Sequence, residues 1–136
     1  MAGAAGRATV ARMSDRTVII AARERLVRKA IRTALATTDV RVVGEAAGRW
    51  EAGDLLRRLE PDLAVVDSNL LSCRDFFLTG WGPVSRCIRI VVVGPDDPQL
   101  AGRLTAMGAA GYVARSRVAD DLRSSVAGGT VSTGPA

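Results

Sequence analysis

The chain has 136 residues, 48% of them apolar, and a formal net charge of +5 from 19 basic against 14 acidic residues. That length and apolar share suit one domain whose core needs no disulfide or metal, and the absence of histidine excludes imidazole zinc sites and histidine-dependent triads. No window reaches the roughly 18 consecutive apolar residues of a membrane span and no N-terminal apolar block suggests a secretory signal, so a soluble, cytoplasmic protein is expected.

Cys73 and Cys87 lack metal-ligand spacing and read as ordinary thiols. Every basic residue except Lys29 is arginine. The arginines are scattered over predicted helices and termini without interleaved aromatics, a pattern of solvated helix faces more than of a nucleic-acid surface.

Residues 1–15 are rich in Ala, Gly and Arg without apolar periodicity and read as a disordered leader to a domain over 16–129. Thr17–Ala22 is a β-branched run suited to a buried strand. Glu24 to about Thr37 then places Leu26, Val27, Ala30, Ile31, Ala34 and Leu35 at helical spacing. Val40–Glu45 reads as a second strand, and Arg49–Leu59 as a helix burying Trp50, Leu55, Leu56 and Leu59 before Pro61 stops it. Leu63–Asp67 is a third strand, four apolar residues that deliver one carboxylate to the strand end, bordered by Pro61-Asp62 and Ser68-Asn69. Cys73–Arg86 should hold a further helix, short or broken near Gly80 because Gly80, Gly82 and Pro83 interrupt it. Ile88–Gly94 is a fourth strand, Gln99 to about Met107 a helix opened by Pro95–Pro98, Gly111–Ala114 a fifth strand and Asp120–Ala127 a last helix.

Alternating strands and helices call for a doubly wound α/β fold, a five-stranded parallel sheet in the flavodoxin-like order 2-1-3-4-5 with an irregular third helix. Asp67 then faces the crevice outside the strand ends, where ligands gather in such sheets.

Leu26-Val-Arg28 with Ala30-Ile31, Val42–Ala46, Pro61–Asp67 and above all Gly108-Ala-Ala-Gly-Tyr112 together resemble the receiver domain of bacterial response regulators, of the NarL/FixJ (LuxR-type) kind. The resemblance covers Thr17 to about Gly129 and implies a CheY-like fold. In usual members it also implies phosphoryl transfer from a histidine kinase to the strand-three aspartate with Mg²⁺, a position matched by Asp67. The remaining site positions depart from the pattern. The acidic pair after the first strand falls on Ala22 and Arg23, the switch Ser/Thr on Gly94 and the lysine after the fifth strand on Arg115, while Tyr112 holds the switch aromatic position.

Mg²⁺ needs several oxygens in octahedral array, so without the acidic pair its binding is expected to be weak or absent and no cofactor is expected. Glu24, one residue beyond the matched position, is a poor replacement. Arg23, together with Arg115, is a candidate to pair with Asp67 where the metal would sit, because a guanidinium grips a carboxylate in two-pronged fashion and stays charged; the alternative is an Arg23 pointing to solvent.

Phe76, Phe77 and Trp81 are candidates for a partner site or for core. Leu100, Leu104, Met107, Tyr112 and Val113 form a candidate homodimer face, though their spacing also suits helix packing. Residues 130–136 look like the start of a linker to a DNA-binding helix-turn-helix domain, so DNA is expected as a partner only through that absent domain.

The resulting expectation is an atypical receiver, not an enzyme, that controls a transcription factor through dimerisation or partner or ligand binding, independently of Mg²⁺-dependent phosphorylation. One alternative keeps Asp67 as a phosphoacceptor for a histidine kinase or a small phosphodonor. Another is a stand-alone flavodoxin-like module binding a small molecule near Gly94-Pro95.

Overall fold

The computed structural model describes residues 16–71 and 88–127. Among these, five strands and four helices alternate: β1 (Arg16–Ala21), α1 (Arg25–Leu35), β2 (Val40–Ala46), α2 (Arg49–Leu59), β3 (Leu63–Asp67), β4 (Arg89–Gly94), α3 (Pro98–Ala106), β5 (Gly111–Ala114) and α4 (Val118–Ala127). Single 3₁₀ turns follow β3 (Ser68–Leu70) and β5 (Arg115–Arg117). The strands form one parallel sheet in the order β2-β1-β3-β4-β5, as expected. The leader, the Cys73–Arg86 helix with Phe76, Phe77 and Trp81, and the linker all lie outside the described residues.

Strand side chains alternate between faces, and the core divides accordingly. Ile19, Ala21, Ala64, Val66, Ile90 and Val92 pack under α2 and α3 with Leu56 and Leu104. Val18, Ile20, Val65, Val91 and Val93 pack under α1 and α4 with Ile31, Leu35 and Leu122. Because both faces are covered, the central strands read as continuous apolar runs. Every residue of β3 is buried.

Two expectations of helix phase are corrected. Leu26 is 76% exposed and Trp50 is 77% exposed, and Leu59 is also exposed. The buried stripe of α1 runs through Ile31, Ala34 and Leu35, and that of α2 through Ala52, Gly53 and Leu56; Leu26 and Trp50 lie off these stripes, since apolar residues in each helix cover more than the one face the sheet can accept. Trp50 instead lies beneath the Arg49 guanidinium, 5.2 Å from the ring centre.

Local chemistry sets several boundaries. α3 begins one residue early, with Pro98 in its first turn and the Asp97 carboxylate accepting from the Gln99 and Leu100 N–H groups at 3.0 and 3.2 Å. α2 ends at Glu60, which turns left-handed (φ 44°) ahead of Pro61. At the amino edge of the sheet, Arg16 Nη2 donates to the Val126 carbonyl at 2.6 Å, tying the first strand to the last helix.

Candidate functional site: the aspartate crevice

Asp67 is the last residue of β3 and registers with Val93 of β4. It is the buried charged residue of the described core, 1% exposed. Its Oδ1 accepts from the Asn69 N–H at 2.9 Å, which closes the turn after the strand. Arg115 begins the turn after β5, two strands away, and reaches past the end of β4 to grip the carboxylate. Its Nη2 donates to Oδ1 at 2.8 Å and its Nε to Oδ2 at 3.2 Å. This is the two-pronged geometry that suits a planar guanidinium. The hydrogen bond to Asp67 raises Arg115 above the ordinary guanidinium value, against the opposing effect of burial.

Tyr112 lies beside this pair, and its hydroxyl donates to the Pro95 carbonyl at 2.6 Å. Burial is the main cause that raises the phenol above its ordinary value; Asp97, Asp67 and Asp96 add to it, while Arg115 opposes them. Gly94 is buried at the end of β4. A Cβ there would collide with the Tyr112 hydroxyl and lie 2.7 Å from Ser68 Oγ, closer than packed atoms approach. The hydroxyl-bearing side chain expected at a switch position is therefore sterically incompatible with this placement of Tyr112.

The arginine expectation is corrected in part: Asp67 and Arg115 come together, whereas Arg23 is exposed and does not join them. Ala22 is fully buried, its N–H bonded to the Ala46 carbonyl at 3.0 Å. Arg28 holds the loop from the other side, its Nη1 donating to the Ala22 and Arg23 carbonyls at 2.8 and 3.2 Å. The same guanidinium lies 3.5 Å from Glu45 Oε1, and Arg32 pairs with Glu45 Oε2. Sequence reasoning missed this cluster. Its signal was present: Arg28 and Arg32 stand one helical turn apart, opposite an acid at the end of the neighbouring edge strand.

The candidate dimer face does not form one surface. Leu104 and Val113 are buried, and they belong to the cores on opposite sides of the sheet, because Val113 alternates with Tyr112 along β5. Leu100, Met107 and Tyr112 remain partly exposed. The crevice itself has a volume of about 320 Å³ and is lined by Ser68, Asn69, Pro95, Leu100 and Arg115, among others. Among the described residues, no three His, Cys, Asp or Glu side chains are placed to hold a metal ion, and no helix is long and apolar enough to cross a membrane.

Comparison with solved structures places this architecture. The signal receiver domain of the putative response regulator NarL from Mycobacterium tuberculosis superposes with a TM-score of 0.67 at 21% identity, covering 84% of this chain and 98% of that one. The fold is that of a response-regulator receiver domain. A LuxR-family two-component response regulator from an Aurantimonas species gives a receiver-fold match with a TM-score of 0.69 at 23% identity, over 87% of this chain and 85% of the other. The RcsB response regulator of Salmonella typhimurium gives 0.73 at 21% identity, over 89% of this chain but 61% of RcsB. No protein-family model and no curated protein matches the sequence.

Proposed function

We propose that this chain is an atypical response-regulator receiver domain that signals without Mg²⁺-dependent phosphorylation, by dimerisation or by partner binding, in the control of a transcription factor. The two-pronged grip of Arg115 on Asp67 carries this reading. It fills both carboxylate oxygens with a permanent cation, so the pocket is held in one charge state. The residues present do not fit Mg²⁺, which needs several oxygen ligands. Ala22 offers no side-chain donor, Arg23 is itself a cation, and Asp67 is already engaged.

Phosphoryl transfer draws its stabilisation from metal and positioned cations acting on the transferring group. Here the available cation stabilises the resting carboxylate instead, which lowers its reactivity as a nucleophile. Gly94 supplies no hydroxyl to bind a phosphoryl oxygen, and Tyr112 already sits inward over it. The domain would then present one surface constantly, acting by contact rather than catalysis. NarL-type likeness makes a linked DNA-binding domain the natural recipient of that contact.

The test is incubation with acetyl phosphate and Mg²⁺, followed by intact-mass measurement beside an Asp67→Asn control. The expected result is no phosphoryl adduct on either protein. An adduct on the native chain that is absent from the control would overturn the proposal and return Asp67 to the role of phosphoacceptor.

A further inference from the structure

A second recess lies away from the crevice, between α1 and α4, with a volume of about 570 Å³. That is within the roughly 300–1,000 Å³ of small-ligand sites. Its floor is apolar, with Ala34 and Val118 buried, and Leu26 stands exposed at its edge. Lys29, Arg123 and Arg115 also line the recess, and no carboxylate is among the lining residues. Lys29 and Arg123 are exposed and make no ion pair among the described residues. Arg115 spends Nε and Nη2 on Asp67, which leaves its Nη1 donors for a further partner.

We infer that this groove binds a small organic anion with a short apolar body, a carboxylate or phosphate monoester on an alkyl or aryl group. Three cations and no carboxylate line this partly apolar recess, so an anionic group would meet charge-assisted donors while its body covers Ala34, Val118 and Leu26. The bland alternative, solvated cations on two helix faces, accounts for Lys29 and Arg123 but not for an apolar floor beside them that no carboxylate lines. Arg115 also lines the crevice on the far side. An anion on its Nη1 would share the guanidinium with Asp67, so occupancy of the groove and the state of the crevice are coupled, and the coupling is reciprocal. The inference stands on the groove and does not depend on whether Asp67 accepts phosphate.

The test is amide NMR of the full, ¹⁵N-labelled chain titrated with phenyl phosphate, phenol, inorganic phosphate and a Glu-rich peptide. The expected result is saturable shifts confined to α1, α4 and the Arg115–Arg117 turn with phenyl phosphate, and binding at least about tenfold weaker for phenol and for inorganic phosphate. A Lys29→Gln/Arg123→Gln double variant, whose unshifted core resonances and unchanged Tm report an intact fold, should bind phenyl phosphate about tenfold more weakly or worse. The inference fails if phenyl phosphate does not saturate below about 10 mM. It also fails if the double variant binds as well as the native chain, or if inorganic phosphate matches phenyl phosphate. Saturation by the peptide alone would overturn it in favour of an acidic protein partner.

Discussion

Two arginine–carboxylate pairs in this molecule have nearly the same geometry and opposite surroundings. Arg115 meets Asp67 at 2.8 and 3.2 Å, and Arg117 meets Asp121 at 2.7 and 3.3 Å. The Asp67 side chain is 2% exposed and that of Asp121 is 42% exposed. Distance therefore says nothing about which pair matters. In the exposed pair water replaces either partner at little cost, whereas the buried Asp67 carboxylate deprived of its cation keeps only the neutral Asn69 N–H. Only the pair at the strand end can serve as a structural lock.

The largest effect should come from breaking that lock. Arg115→Ala leaves Asp67 buried without its cation and should cost about 3 kcal/mol in urea-induced unfolding. Adding Asp67→Asn to the same chain should recover part of the loss, a non-additivity that a double-mutant cycle would read directly. Equal stability of Arg115→Ala and the native chain would erase the contrast between the two pairs.

Gly94→Thr should come next, at about 1–3 kcal/mol, because its side chain needs the space held by the Tyr112 and Ser68 hydroxyls. Tyr112 should leave its bond to Pro95, and its ionisation should move back toward that of free tyrosine. In the native chain the phenol is raised, mainly by burial. Neutral Tyr112 is thus favoured by folding, and its contribution to stability is complete below the ordinary phenol value and lost as pH rises through the folded one. Absorbance titration near 295 nm on the native chain should show Tyr112, the sole tyrosine, ionising later than free tyrosine.

The smallest effect sharpens the comparison from the other side. Arg117→Ala should leave the unfolding midpoint at neutral pH unchanged within error. Asp121 is lowered by its hydrogen bond to Arg117, so whatever the pair contributes is present above the ordinary carboxylate range and fades as pH falls through the folded value. A midpoint as low as that of Arg115→Ala would show that burial does not separate the pairs.

Much of this arrangement is legible in the amino-acid order. Five short apolar runs separated by helical stretches dictate a parallel sheet, and the borders of Leu63–Asp67 place its carboxylate at the crevice. That Ala22 and Arg23 after the first strand carry no carboxylate, and Gly94 no hydroxyl, is equally plain. What the order of residues does not carry is side-chain direction. Arg23 is nearer to Asp67 by topology, since β1 adjoins β3, yet Arg28 pins the Ala22 and Arg23 carbonyls and Arg23 stays at the surface. Arg115 starts two strands away and arrives because its side chain is long enough to cross β4. Helix phase failed for a related reason: Leu26 and Trp50 fit a helical spacing, but the sheet accepts only one stripe of each helix. The joint demand of Gly94 and Tyr112 on one small volume could not be seen without coordinates, because it depends on two strands meeting in register, Val92 against Tyr112 and Gly94 against Ala114.

The clasp of Arg16 on the Val126 carbonyl makes the described fold nearly a ring. A short Gly-Ser bridge could close it between Ala127 and Arg16, and a new opening cut in the Thr37–Asp39 turn, where Thr37 and Asp39 are exposed, would leave every strand whole. Such a rewired chain would carry its ends on β2 and α1 instead of β1 and α4. It would separate what the folded domain does from what depends on the order in which its strands are connected.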